Sequence, residues 1–304
     1  KLGEYYQQFG MLKNLKERAD AVILAHYYVD EKVQRLADYV GDSYYLAKVA
    51  AKTDRSTIVF CGVRFMGESA KILNPDRRVL LPAPQADCPM AHMAKENEIA
   101  RLRREIPDLA VVCYINSTAR LKSCSDVCVT SSNAVRIVSA LPNRNILFIP
   151  DENLGSFVAA QVPDKKFYFS GGYCPVHAQL LPADVEAEKR AHPAARVLTH
   201  PECKEGVRVL SDFIGSTSEI IDYAKKSEAG EFVLCTEPGV LYELQRQCPA
   251  KRFYPVTPVC ADMRAITEEN LLSCLETGAG EVVPDEAEAA AARRPLERML
   301  ELAK

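Results

Sequence analysis

The chain has 304 residues, 38 of them basic and 41 acidic for a formal charge of −3, and 48% of it is hydrophobic, which is ample apolar mass for a folded core. Without a block of Lys and Arg it lacks the electrostatic footprint of a nucleic-acid binder, and its longest apolar run, Leu109 to Ile115, is far short of the roughly 20 residues that cross a bilayer. The opening KLGEYYQQFG has no basic head followed by an apolar block, so the expectation is a soluble cytoplasmic protein with no nucleic-acid or membrane partner.

The first predicted strand, ILAH, ends at His26, with Tyr28 just beyond it. A hydroxyl cluster, GDS with Ser43, precedes a helical stretch; TIVF to Phe60 and RRVL to Leu80 are further strand-like runs, and Cys88 closes the series ahead of a helix-like segment. The series then starts again. CYIN carries Tyr114 and Asn116, TSS carries Ser131, NILF ends at Phe148, KKFY ends at Tyr168, and Cys174 follows. A third pass runs from VLTH at His200, with Glu202 beyond it, through STS with Thr217, EFVL to Leu234 and KRFY to Tyr254, to Cys260. The cysteines are spaced by 86 residues twice, and the other landmarks by 88 and then 86. Five landmark classes sharing one period mark an internal repeat.

Short runs of Val, Ile, Leu and Phe separated by amphipathic stretches such as Asp184 to Ala191 predict buried parallel strands covered by helices. Each unit reads strand, helix, hydroxyl turn, helix, strand, helix, strand. The expected fold class is α/β: three similar α/β/α sandwich domains with parallel sheets, related by pseudo-threefold symmetry around a central active site. The expected domains are 1–86, 87–173 and 174–260. The remaining segment, 261–304, with a capped start at Thr267 and an Ala/Glu/Arg-rich helix from Asp285 to Lys304, is expected to complete the first.

Ligands of open parallel sheets gather beyond the carboxyl ends of the strands. There lie His26, Tyr28, Tyr114, Asn116, His200, Glu202 and the three periodic cysteines, all candidates for one cavity. Eleven cysteines, an odd number in a chain of this size, fit a disulfide framework poorly. Cys88, Cys174 and Cys260 form no local CxxC motif, yet around one axis they suit a 4Fe-4S cluster whose open iron acts as a Lewis acid. The alternative is three buried structural thiols. The other cysteines take the plainer reading: Cys61 and Cys235 are equivalent to Ile149, Cys113 lies in an apolar strand, and Cys203, Cys248 and Cys274 have no nameable partner. Cys124 and Cys128, four apart, could share a helix face.

Ser43, Ser131 and Thr217 are read as helix N-caps that also bind the anionic groups of a substrate. Glu202 is a helix-start carboxylate or a proton carrier, and Tyr28 is aromatic core or a site residue. His177, three residues past Cys174, is a neighbour of the metal or a plain helix residue, while His92 and His192 look peripheral.

Strings along nearly the whole chain resemble the quinolinate synthase family, the iron-sulfur enzymes of de novo NAD biosynthesis: ILAHYY (23–28), GDSYYLA (41–47), CGVRFMGESAKILNP (61–75), ADCPMA (86–91), YINSTA (114–119), SDVCVTSSNA (125–134), PDENLG (150–155), GGYCPVH (171–177), HPEC (200–203), STSEII (216–221) and TEPGVLYEL (236–244). The resemblance implies a threefold α/β architecture and a 4Fe-4S cluster on Cys88, Cys174 and Cys260. It implies condensation of iminoaspartate with dihydroxyacetone phosphate to quinolinate, phosphate and water, with L-aspartate oxidase or aspartate dehydrogenase supplying the imine. The family's substrate and proton-transfer positions fall on His26, Tyr28, Ser43, Tyr114, Asn116, Ser131, His200, Glu202 and Thr217, with Tyr28, His26 and Glu202 as the catalytic set. Two features depart from the family pattern. Arg264, in CADMR, stands where the family often has Lys, which changes the geometry of that contact, and the C-terminal CxxC of some members is missing. Alternatives at this level are a diphthamide-forming radical enzyme, an isoprenoid diphosphate reductase, or a non-catalytic cluster sensor.

Overall fold

The computed structural model describes the backbone of residues 2–304 and the side chains from residue 10 onward. Its strands form three four-stranded sheets, parallel throughout. The first contains β1 (Ala21–His26), β2 (Tyr39–Gly41), β3 (Thr57–Cys61) and β4 (Arg78–Leu80), in the order β2-β1-β3-β4. The second repeats that order with β5 (Leu109–Tyr114), β6 (Val127–Val129), β7 (Asn145–Ile149) and β8 (Lys166–Phe169). The third does so with β9 (Arg196–Thr199), β10 (Phe213–Ile214), β11 (Glu231–Cys235) and β12 (Arg252–Pro255). Register repeats with order: Leu24 pairs with Phe60, Val112 with Phe148, and Leu198 with Leu234. Parallel neighbours cannot be joined by hairpins, so helices such as Ser43–Lys52 and Arg64–Leu73 carry the crossovers. Every residue of β1 and β5 is buried, which is why their sequences are unbroken apolar runs rather than alternating ones.

The structure departs from the sequence reading at the hydroxyl turns. Each follows a short edge strand, β2, β6 or β10, of only two or three residues, too brief to show a period. Nor are the three hydroxyls caps. An N-cap needs extended backbone and an acceptor that reaches an amide two or three residues on. Asp42 meets that need for Ser43–Lys52, its Oδ1 accepting from the Tyr45 N–H at 2.8 Å. Ser216 does so for the helix Thr217–Lys226, in a capping box with Glu219. Ahead of the helix Ala134–Ala140, Asn133 Oδ1 accepts from the Thr130 N–H at 2.7 Å. Ser43 and Thr217 are therefore first helical residues and Ser131 a turn residue, their hydroxyls released from capping. The expected helix face of Cys124 and Cys128 is also absent, because Cys124 ends the helix Ala119–Ser123 and Cys128 lies in β6, in register with Cys113.

One continuous apolar core serves the first two sheets and the C-terminal helices. The third sheet has two of its own, with Leu198, Phe232 and Leu234 on one face and Val197, Val233 and Cys235 on the other, the alternation that pleating imposes. The C-terminal segment is shared between units rather than given wholly to the first. The helix Glu268–Thr277, capped by Thr267, lies against the helices Leu2–Ala19 and Glu31–Leu36, and residues 280–282 pair with the open edge of β4. The final helix, Glu286–Leu302, lies against Ala119–Ser123, β6 and Arg64–Leu73. Its buried stripe of Ala292, Leu296 and Met299 belongs to the core common to both units.

Candidate active site

The carboxyl ends of the three sheets meet at one cavity of ≈ 240 Å³. Each cysteine follows the last strand of a sheet, so a unit comprises its sheet and the turn beyond it, which moves Cys88 and Cys174 out of the expected 87–173 and 174–260 into the units before them. The first unit contributes His26, the last residue of β1, with Tyr28 two residues on, Ser43 past β2 and Cys88 past β4; the second contributes Tyr114, Asn116, Ser131 and Cys174. The third contributes His200, Glu202, Thr217 and Cys260. The cavity thus gathers four repeat-related sets of three. Asp42, Asp87, Glu237 and Asp262 also line it, and among the described residues no Lys or Arg does.

Glu202, 3% exposed, is the hub. Tyr114 donates its hydroxyl to Oε1 at 2.6 Å, and His177 Nδ1 lies 2.8 Å from Oε2. His177 Nδ1 is also 3.2 Å from Cys174 Sγ, and its Nε2 is 3.2 Å from Thr236 Oγ1. Thr236 in turn lies 2.9 Å from the Tyr28 hydroxyl, which is 2.7 Å from Thr217 Oγ1. A continuous run of polar contacts therefore joins Tyr28, Thr236, His177 and Glu202. Two histidines, in the first and third units, each form the same kind of local turn: the Tyr28 N–H donates to His26 Nδ1 at 3.2 Å, and the Glu202 N–H to His200 Nδ1 at 3.3 Å. That bond leaves the ring proton on Nε2, and His200 Nε2 meets Ser131 Oγ at 3.3 Å.

Burial pushes the imidazoles down, His26 to about 3 and His200 to about 4, so both are neutral donors near pH 7. Burial also pushes Tyr28 and Tyr114 well above their usual range, helped by the Glu202 charge. For Glu202 itself burial works upward, but the His200 and His177 rings and the bonds from His177 and Tyr114 outweigh it and hold the carboxyl below its usual value. The thiols of Cys88, Cys174 and Cys260 are all raised, first by burial, with nearby carboxylates adding to it. In this anionic surrounding they are thiols unless a cation ionises them.

A sequence model of the family described as "Quinolinate synthetase A protein" matches residues 11–301. The chain belongs to this family. It is 47% identical to a quinolinate synthase of Caldicellulosiruptor saccharolyticus, over 96% of this chain and 97% of the relative. It is 48% identical to one from Fusobacterium nucleatum (96% and 98% covered) and 47% identical to one from Clostridioides difficile (90% and 91%). The residues of this family member fit a thiolate-held metal group: three thiols, one per unit, line a single cavity rich in carboxylates, and Cys174, His177 and Glu202 offer ligand atoms within 4.8 Å of one another. The buried Asn116 Oδ1 has no protein partner, an acceptor left for a ligand.

The sequence reading left His177 undecided and missed Thr236, Glu237 and Asp151. A signal existed, since Asp151 and Glu237 lie one repeat apart, each two residues past the noticed pair Ile149 and Cys235. His92 bonds to Asp87 at the surface and His192 stacks on Tyr254, both outside the cavity. Cys61, Cys113, Cys203, Cys235, Cys248 and Cys274 are buried away from it.

Proposed function

We propose that the chain is a quinolinate synthase, condensing iminoaspartate with dihydroxyacetone phosphate to quinolinate, phosphate and two waters, with a 4Fe-4S cluster on Cys88, Cys174 and Cys260. One observation carries the reading: each unit brings a thiol, a hydroxyl and strand-end polar groups to one cavity from which Lys and Arg are absent among the described residues. Two carboxylates and a phosphate need an electron-pair acceptor in such a place. When bound, a cluster with an open iron would supply one as a Lewis acid, with the three cysteines held as thiolates.

The protein's own groups do the rest. Ser43, Ser131, Thr217, Asn116 and the neutral His26 and His200 rings hold the anionic substrate groups through hydrogen bonds. Tyr28 passes a proton to and from the substrate through Thr236 and His177 to Glu202, and Tyr114 keeps Glu202 oriented. No described helix is long and apolar enough to span a membrane. On this reading the protein works in the cytoplasm and takes its imine from L-aspartate oxidase or aspartate dehydrogenase.

A second reading is favoured by the Cys174, His177 and Glu202 cluster: its mixed sulfur, nitrogen and oxygen donors suit a single catalytic zinc. Anaerobic purification with iron, sulfide and zinc counts, followed by a quinolinate assay, separates the two. About four iron and four sulfide per chain is the expected result. Replacing Cys88, Cys174 or Cys260 by Ala should abolish the visible absorption, and a requirement for Cys124 or Cys128 in place of any of them overturns the ligand assignment.

A further inference from the structure

Two of the three cysteine-bearing turns are tied down in the same way. In the first unit the Arg64 N–H donates to the Ala86 carbonyl at 3.0 Å, two residues before Cys88. In the second the repeat-equivalent Glu152 N–H donates to the Gly172 carbonyl at 2.8 Å, two residues before Cys174. The corresponding positions in the third unit are Pro238 and Pro258. A proline has no N–H to donate, so this backbone tether cannot form. Cys260 meanwhile opens a helix of only four residues, Ala261–Arg264, too short to hold its own turn rigid.

Glu237, 1% exposed, stands where the tether is missing. Its Oε1 accepts from the Cys260 N–H at 3.2 Å and from Arg264 at 3.4 Å, and its Oε2 accepts from the Gly239 N–H. Arg264 also lies 3.6 Å from Asp30 of the first unit, which fastens the same turn across the seam. Asp151, the equivalent residue of the second unit, spends Oδ1 on the Leu154 N–H, and its Oδ2 has no partner. The side-chain tether therefore occurs where the backbone tether is lost. With both oxygens engaged by N–H groups, Glu237 has little to offer a substrate although it lines the cavity.

We infer that Glu237, paired with Arg264, is a positioning residue that replaces the absent backbone bond and fixes the Cys260 thiol as a cluster ligand. The inference deepens the cluster reading above and rests on it.

The test uses the full chain and two readouts besides activity. In the anaerobically loaded enzyme, iron release to a chelator is followed through loss of visible absorption. In the cluster-free chain, alkylation of each cysteine by iodoacetamide is followed by mass spectrometry. Glu237→Ala and Arg264→Met should speed iron release by on the order of tenfold to a hundredfold, the range seen when groups that orient a metal ligand are removed. Alkylation should accelerate at Cys260, with Cys88 and Cys174 left within about twofold of wild type. Arg264→Lys should recover most of the loss, since it keeps the charge though not the planar fork. If Glu237→Ala fails to fold, Arg264→Met decides, its side chain being partly exposed. Equal acceleration at all three cysteines, or none at Cys260, overturns the inference. A wild-type protein that takes up no iron and sulfide overturns the cluster reading instead, and the alkylation pattern still reports on the tether.

Discussion

The first two units and the third are built from the same four-strand plan yet are joined in different ways. The first and second sheets share one apolar core, sealed by the C-terminal helix Glu286–Leu302. The third keeps two separate cores, one of them touched by Tyr27 of the first unit, and meets its neighbours mainly through polar side chains. Tyr28 to Thr217 at 2.7 Å, Ser218 to Asp42 at 2.6 Å and Gln34 to the Gly239 carbonyl at 3.0 Å join it to the first unit. Tyr114 to Glu202 at 2.6 Å and Arg208 to Ser156 at 2.8 Å join it to the second. A net hydrogen bond contributes about 0.5–1.5 kcal/mol, whereas a buried Leu or Phe contributes about 1.5–3 kcal/mol. The third unit is accordingly the one that should loosen first. The comparison teaches that the polar seam and the candidate site overlap: Tyr28, Asp42, Tyr114, Glu202 and Thr217 line the cavity and also dock the third unit.

The comparison is broken most severely at Tyr28, which belongs to both seam and site. Tyr28→Phe should keep the visible cluster absorption and lower quinolinate formation by roughly 10²–10⁴, the range for a lost general acid–base group. Wild-type turnover in that variant would relegate Tyr28 to packing. Next come paired core substitutions. Phe148→Ala and Phe232→Ala each empty a fully buried site and should cost about 3–5 kcal/mol. By hydrogen exchange, Phe148→Ala should expose β1 through β8 together, while Phe232→Ala should expose β9 through β12 alone. Equal exposure of all three sheets by Phe232→Ala is the outcome that dissolves the distinction.

A ligand that bridges the seam sharpens it. Quinolinate at 100 times its Kd should stabilise the bound state by about 2.7 kcal/mol. On the proposed binding mode it bridges all three units, so the added exchange protection should concentrate in the third. Protection gained mainly in the first two sheets would mean that the ligand sits elsewhere. The smallest expected effect concerns the caps. Ser43→Ala should leave stability within about 0.5 kcal/mol and weaken a bound dicarboxylate roughly tenfold. Asp42→Ala should lower stability by about 1–3 kcal/mol through loss of the cap and of the bond from Ser218. Melting and titration of both variants decide the matter, and a large loss of stability in Ser43→Ala returns the cap to that residue.

Much of the architecture was legible in advance because burial writes itself into composition. Strands covered on both faces must be apolar throughout, so ILAH, CYIN and VLTH declared the central strands β1, β5 and β9. Helix starts were less legible. Asp42, Ser43, Ser216 and Thr217 can all cap on chemical grounds, and only backbone conformation selects Asp42 and Ser216. The edge strands β2, β6 and β10 were missed because their two or three residues carry no pattern, whereas the opposite edges β4, β8 and β12 were signalled by basic residues ahead of an apolar run. Thr236 was missed because nothing in a single polar residue says which distant atom it will face, while Glu237 left a trace in its repeat relation to Asp151 that does not say what either carboxylate holds.

The sequence alone therefore determined the repeat, the parallel α/β class and a set of polar positions at strand ends, since these depend on local periodicity and on which residues avoid water. Tertiary structure alone decided that Glu202 takes its hydrogen bonds from Tyr114 of one unit and His177 of its own. It also decided that Tyr28 reaches Thr236 across 208 positions of chain. It decided, too, that the third unit docks mainly through polar groups while the other two fuse their cores. Such pairings depend on how three sheets are oriented about one cavity, a property of the packed whole that no spacing along the chain encodes.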